Sequence, residues 1–391
     1  FPTRRSSDLA QLSDLTDKQI QAFKTTALQK FQTDVIETMS TGGDASSLQV
    51  NLFSAGQWAA LGTDQIQALK NVENLNTNSI KSLKATQLNN MLDTQVGALT
   101  GDQLTAFAAP QLAALNATFV SEISTDAISK LTATQFKSLT PDALTGLTAA
   151  QVGALDTSVF GVMTKAQAEV LTGEQVAGIT AEQVALIKPD ALKGFTTEDQ
   201  LSQLNVAGLG KAQMASLTGD QLSLMGADQV ANLSADQIAA ISTSAIVKMT
   251  ADEVAALKTG DNSSVNQMAA LTTAQISAIA GATAQNAAWL GALSETQISA
   301  MDGKDLAALG KNGLNLLSAE QFVAMSGDQV KALSTTQING LSDGLVKAMG
   351  EEEIHALTGA QIKSLTIDEI QQFDPEQIAL FTDTQIPQLS A

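Results

Sequence analysis

From Leu15 onward a large apolar residue returns every eight positions. Stepping by eight gives Leu15, Phe23, Phe31 and Met39, then Phe53 and Leu61, then a run from Leu75 to Phe195. The series resumes from Leu209 to Leu257, at Leu271 and Ile279, and from Leu293 to Leu389. All 44 of these positions are Leu, Ile, Met or Phe. A strand repeats every 2 residues and a helix about every 3.6, so a period of eight suits neither. In one continuous helix, eight residues are about 2.2 turns, and the apolar position would rotate by roughly 80° at each return. The apolar stripe would smear around the rod. A chain that keeps this period must restart its local structure every eight residues.

The interior of the octad says what restarts. With the apolar residue as position 1, position 2 is mostly Thr, Ser, Asp, Asn or Gly, position 5 is most often Gln, and position 6 is apolar. In Leu171-Thr172-Gly173-Glu174-Gln175-Val176 these are the N′, N-cap, N3 and N4 residues of a helix start. The Thr hydroxyl accepts from the N3 amide, the Gln side chain reaches back to the cap amide, and N′ packs on N4. Pro141, Pro189 and Pro375 fall at position 3, the first helical residue, where proline is tolerated best. Pro387, at position 7, departs from the rule. Position 8 is most often Ala, Ser or Gly, which lets neighbours approach closely.

The expected fold is therefore all-α: a solenoid or superhelical coil of helices about six residues long, repeating every eight. Helices this short are not stable alone, so stability must come from stacking. A β-solenoid is the alternative, but the chain is rich in Ala and Gln and sustains no alternation of period two. Residues 10–391 are read as one such array, with breaks at 39–53, 61–75, 195–209, 257–271 and 279–293. The five breaks are equal in length, each two positions short of two octads. A constant length points to a second permitted way of completing the same structural step. The opening Phe-Pro-Thr-Arg-Arg-Ser-Ser-Asp-Leu reads as a translated sequencing adapter. Residues 1–9 are left out of the fold on that ground, and the natural N-terminus is expected to lie elsewhere.

Net charge is −19. A surface so acidic repels nucleic-acid phosphates and anionic lipid, which excludes both as partners. No apolar run approaches the roughly 18 residues of a membrane helix. With no Cys and one His, thiolate, zinc and Ser/His/Asp chemistry have little to draw on. No catalytic, cofactor-binding or metal residue is assigned, and no cofactor is expected. Most acids occupy positions 3 and 4, the first helical turn, where negative charge meets the helix dipole. Glu351-Glu352-Glu353 with His355 is read the same way, as a solvated helix start. Asp302-Gly303-Lys304-Asp305 and Gly260-Asp261-Asn262 are the nearest approach to calcium loops and are read as caps or turns. Trp289, inside one break, and Trp58, beside another, are the candidate partner contacts, though plugging a wider gap in the core is the favoured reading.

The stretch Leu139-Thr140-Pro141-Asp142-Ala143-Leu144 resembles the first helix of transcription-activator-like effector repeats. Those repeats are several octads long, and the short period and acidic charge of this chain exclude a reader of DNA. A broader resemblance covers nearly the whole array. Leu-Thr-x-x-Gln-(Ile/Val)-x-Ala tracts are similar to repetitive regions of large bacterial secreted or surface proteins of adhesin-like type. The resemblance implies a non-enzymatic, extracellular spacer or display region, with a binding solenoid for a protein or glycan as the alternative. The fragment itself is expected to be monomeric.

Overall fold

The structure, a computed structural model, describes residues 11–12, 14–41, 48–260, 265–280 and 284–389. Residues 1–9, read as adapter-derived, lie outside the described residues. Among the described residues the chain is helix, turn and bend, with one isolated β-bridge between Thr259 and Asn266 and no strand. The α-helices are four to nine residues long and restart with the octad. Position 1 lies between them in most octads, while Met39 and Ile279 fall inside helices. Pro141, Pro189 and Pro375 each open a helix. Pro387 falls instead in a closing 3-10 turn, Ile386–Gln388.

Contacts divide the chain into two units. One comprises Phe1–Phe195 with Gln203–Gly208, the other Thr196–Ser202 with Leu209–Ala391. Each is an all-α repeat solenoid built by the same rule, in which a helix packs on the helix three octads later. In the first unit, Gly101–Thr105 packs on Thr125–Ile128, and Ala149–Ala154 on Gly173–Ala177. In the second, Lys211–Ser216 packs on Ala235–Ala240, and Gly303–Ala308 on Gly327–Ala332. Positions 1 and 6 form the core: Leu171 is 5% exposed and Val176, Val184, Phe322 and Val330 are 0% exposed. Small residues at position 8 bring turns into contact. A Cβ added to Gly178 would lie 2.3 Å from the Ala149 carbonyl oxygen, so only glycine permits that approach.

The capping glutamine also holds the turns together. Gln175 Oε1 accepts from the Thr172 amide at 2.8 Å, and its own amide donates to Thr172 Oγ1 at 3.3 Å. Its Nε2 then crosses the stack and donates to the carbonyls of Leu144 at 2.9 Å and Leu147 at 2.6 Å, which lie 31 and 28 residues earlier. Leu144 ends the helix Pro141–Leu144 and Leu147 lies just beyond it, at a helix end where carbonyls lack i+4 partners. Gln111, Gln151, Gln321 and Gln361 repeat the same two bonds at the same spacings. The glutamine half of the cap also persists where the hydroxyl is absent. The amides of Lys84, Leu92 and Ala108 donate to Gln87, Gln95 and Gln111 at 2.7, 2.9 and 2.8 Å.

This ladder shows that the five breaks are of two kinds, where one had been expected. In 257–271, Gln267 Oε1 accepts from Lys258 nine residues back instead of three, and Nε2 reaches Leu233, 34 residues back instead of 28. Six residues are inserted between cap and N3 in a single enlarged repeat. The breaks at 39–53 and 279–293 count the same way. Gln57 reaches Phe23 across 34 residues, and Gln297, with two such breaks behind it, reaches Leu257 across 40. The break at 61–75 is different. Gln87 reaches Leu61 across only 26 residues, because Leu69 to Asn74 is a contracted repeat with a 3-10 turn at Val72–Asn74. At 195–209 a second contracted repeat holds the 3-10 turn Val206–Gly208, packed on Ala181–Val184.

Candidate functional surface

The outward residues are mostly positions 2, 3, 4 and 7. Position 7 carries a second set of cross-links in some octads. Asn89, Asn315 and Asn339 each donate Nδ2 to a carbonyl 25 residues ahead: Ala114 at 2.7 Å, Gly340 at 2.7 Å and Ser364 at 2.6 Å. Asn89 and Asn315 also accept from the amides of Asn116 and Ser342 at 3.1 and 2.8 Å. His355 holds the same register, its Nε2 lying 2.8 Å from the Leu380 carbonyl oxygen, also 25 residues ahead. Its Nδ1 is 3.9 Å from the exposed Glu351 carboxylate. The single histidine is thus a strap between turns.

Glu182 and Glu320, at the second helical position, are exposed. Glu182 and Glu320 are held below their ordinary 4.5 by hydrogen bonds from their own amides and from the cap hydroxyls of Thr180 and Ser318. Among the described residues no three His, Asp or Glu side chains gather as metal ligands, and no helix is long and apolar enough to cross a membrane. Asp302 caps its helix by accepting from the Lys304 amide at 2.8 Å. Asp305 takes the N3 place, is 8% exposed, and accepts from Thr273 Oγ1 at 3.0 Å. Burial raises its pKa above the ordinary 3.8. Gly260 lies in the enlarged repeat at φ +91°, while Asp261 and Asn262 are outside the described residues.

The structure places Trp58 and Trp289 in the core, 0% and 1% exposed. Trp58 fills position 6, its ring edge-on to Phe53 at 5.7 Å. Trp289 falls where position 5 belongs after a six-residue insertion, in the place of a glutamine. Both indole N–H groups are buried without an acceptor. Neither ring is presented to a partner. What remains on the surface is shallow. One cleft is lined by Phe31, Asp34, Gly62 and Asp64, another by Leu293, Ser294, Glu295 and Glu320. The larger exposed apolar residues are Leu92, Leu186, Val323, Ile367 and Ile386.

The sequence reading missed Glu253. It sits at N3, is 1% exposed, and burial raises its pKa above the ordinary 4.5. A glutamate at N3 where glutamine is the rule was the available signal.

Residues 298–335 match the family model of the ALTTAQ repeat. No curated protein matches the chain. The matched stretch includes the octads that begin at Met301, Leu309, Leu317 and Met325. The chain is a helical repeat tract whose residues 298–335 are similar to the ALTTAQ repeat.

Proposed function

We propose that this tract is a non-enzymatic structural region, a spacer or display scaffold within a larger exported bacterial protein at the cell surface. The observation that carries this reading is the use made of the polar side chains. Position 2 caps its own helix and position 5 ties one turn to the next from inside, as Thr172 and Gln175 do, and at Asn89, Asn315, Asn339 and His355 position 7 adds a tie from outside. The repeated chemistry is spent on holding turns together, and the residues left outward are a solvated acidic face. Such a scaffold sets distance by repeat number, because each repeat is held by its near neighbours.

Deleting three consecutive octads, Leu317 to Gly340, tests this. The shortened chain is expected to keep its helicity and cooperative melting, while its longest dimension in small-angle scattering falls by one repeat turn. Unfolding of the remaining octads, or an unchanged dimension, would remove the basis for a spacer.

A further inference from the structure

In a regular octad the position-1 carbonyl accepts from the glutamine of a later octad, and the next amide serves its own cap. Leu209 and Gly210 show this. The Leu209 carbonyl accepts from Gln237 Nε2, 28 residues later, at 2.9 Å; Gly210 has φ −83°, and its amide donates to Gln213 Oε1 at 2.7 Å. Two octads later the corresponding pair is Met225 and Gly226, and the residue at the same spacing beyond Met225 is Glu253 in place of glutamine. Here the peptide is turned over. Gly226 has φ +85°, and its amide donates to Glu253 Oε1 at 3.2 Å. Glu253 Oε2 accepts from the Thr250 amide at 2.7 Å in the ordinary cap. A carboxylate has no proton for a carbonyl, and the turned peptide offers it an N–H instead. The Gly226 amide is thereby removed from its own helix, which lacks a capping box, while Gln229 Nε2 still makes a cross-stack bond, to the Ser202 carbonyl at 2.6 Å.

Glycine is what permits the turn. A Cβ at Gly226 would meet nothing within 4 Å, so the requirement is the left-handed φ and not space. Glu353 supplies the contrast. The residue at the same spacing before it is Met325, followed by Ser326, which keeps φ −69° and donates its amide to Gln329 Oε1 at 2.6 Å. Glutamate without glycine leaves the peptide in its regular orientation.

We propose that Glu253 and Gly226 form a proton-operated two-state peptide. With Glu253 ionised, the 225–226 peptide presents its N–H to the carboxylate. When a proton from solvent binds Glu253 Oε1, the new O–H donates to the Met225 carbonyl as a glutamine would. The peptide turns over, and the freed Gly226 N–H closes the capping box with Gln229. No further reactant is needed.

The surroundings place this change within reach of mild acid. Burial of Glu253 raises its pKa above 4.5, and Asp252 on its own helix pushes the same way. The Ala227–Ala231 helix packed against it carries Asp228, the Glu295–Ser299 helix bonded to it through Gln297 carries Glu295, and the Ala284–Gly291 helix carries no charge. These neighbouring helices thus bring acids and no cation to hold the carboxylate ionised. Because the folded-state pKa is raised, folding is weakened as pH rises from about the ordinary value through the folded value, and the loss is complete above it.

The test is an NMR titration of the isotope-labelled full chain from pH 8 to pH 4, following the Gly226 amide, the Gln229 side-chain amide and the Glu253 carboxyl. All three are expected to move with one midpoint above 4.5. In Glu253→Gln the Gly226 amide should resemble that of Gly210 at every pH. In Gly226→Ala the strain of a left-handed alanine disfavours the turned state, and the Glu253 proton affinity should rise roughly tenfold, moving the midpoint up by about one unit. A Gly226 amide that ignores pH while Glu253 titrates would overturn the proposal. So would a Glu253→Gln spectrum with Gly226 unmoved from its wild-type position at pH 8. If Glu253→Gln fails to fold, the Gly226→Ala midpoint decides alone, and an unshifted midpoint rejects the switch.

Discussion

The octads from Leu131 to Phe195 and those from Met225 to Leu293 follow one grammar with different fidelity. In the first region the ladder keeps its spacing: Gln167, Gln175 and Gln183 each reach 31 and 28 residues back. In the second, two repeats are enlarged, Glu253 replaces a ladder glutamine, Trp289 occupies another glutamine's place, and Gly226 and Gly260 take positive φ. The fold survives because the ladder tolerates a change in the length of chain between its rungs. A missing donor draws a local response only where a glycine allows it: opposite Glu353 the Ser326 peptide keeps φ −69°. Where six residues are inserted, Gln267 still finds both its cap amide and the Leu233 carbonyl. Where the donor is lost, as at Glu253, the opposing peptide turns over.

The largest effect that would separate the regions comes from Trp289→Ala. The ring is 1% exposed and its loss opens a cavity, so stability should fall by about 3–5 kcal/mol in chemical denaturation. A loss under about 1 kcal/mol would show that the enlarged repeat closes without its plug. In the regular region, Gln175→Glu removes the donor from the buried carbonyls of Leu144 and Leu147, and the residue after Leu147 is Thr148, with no glycine to turn. We expect a loss of about 2–4 kcal/mol at pH 7, partly restored near pH 4 as the carboxyl gains a proton. A neutral outcome would show that the cross-stack bonds contribute nothing. Gly178→Ala pushes a methyl against the Ala149 carbonyl and should cost about 1–3 kcal/mol. Gly344→Ala, where a Cβ would meet nothing within 4 Å, is its control and should be neutral or slightly stabilising. Among the destabilising changes the smallest effect is expected from Thr172→Ala, about 1 kcal/mol, because only the hydroxyl half of the cap is lost.

The local half of the structure was legible. Helix starts, caps, proline positions and the period of the core are written within each octad, and Thr172 to Val176 shows all but the proline. The non-local half was not. Nothing within an octad states that the glutamine amide has a second use, on a carbonyl 28 residues away, so the glutamine read as a cap alone. The same ignorance merged the breaks. Their common length can be one repeat plus six or two repeats less two, and only the partner of the next rung distinguishes them. Trp289 was readable as a plug in a widened core gap, but not as the occupant of a glutamine's place, because the position of the insertion within its break was not visible. His355 and the position-7 asparagines looked incidental for the same reason.

The central claim is that the capping glutamine is also the cross-stack tie. The most direct measurement is NMR hydrogen exchange of the Gln175 side-chain amide, with through-bond coupling sought to the Leu144 and Leu147 carbonyl carbons. Both Nε2 protons should be protected like the core backbone amides, and at least one coupling should be seen. Exchange at the rate of a free glutamine side chain, with Thr172 and Val176 still protected, would leave the cap and remove the tie.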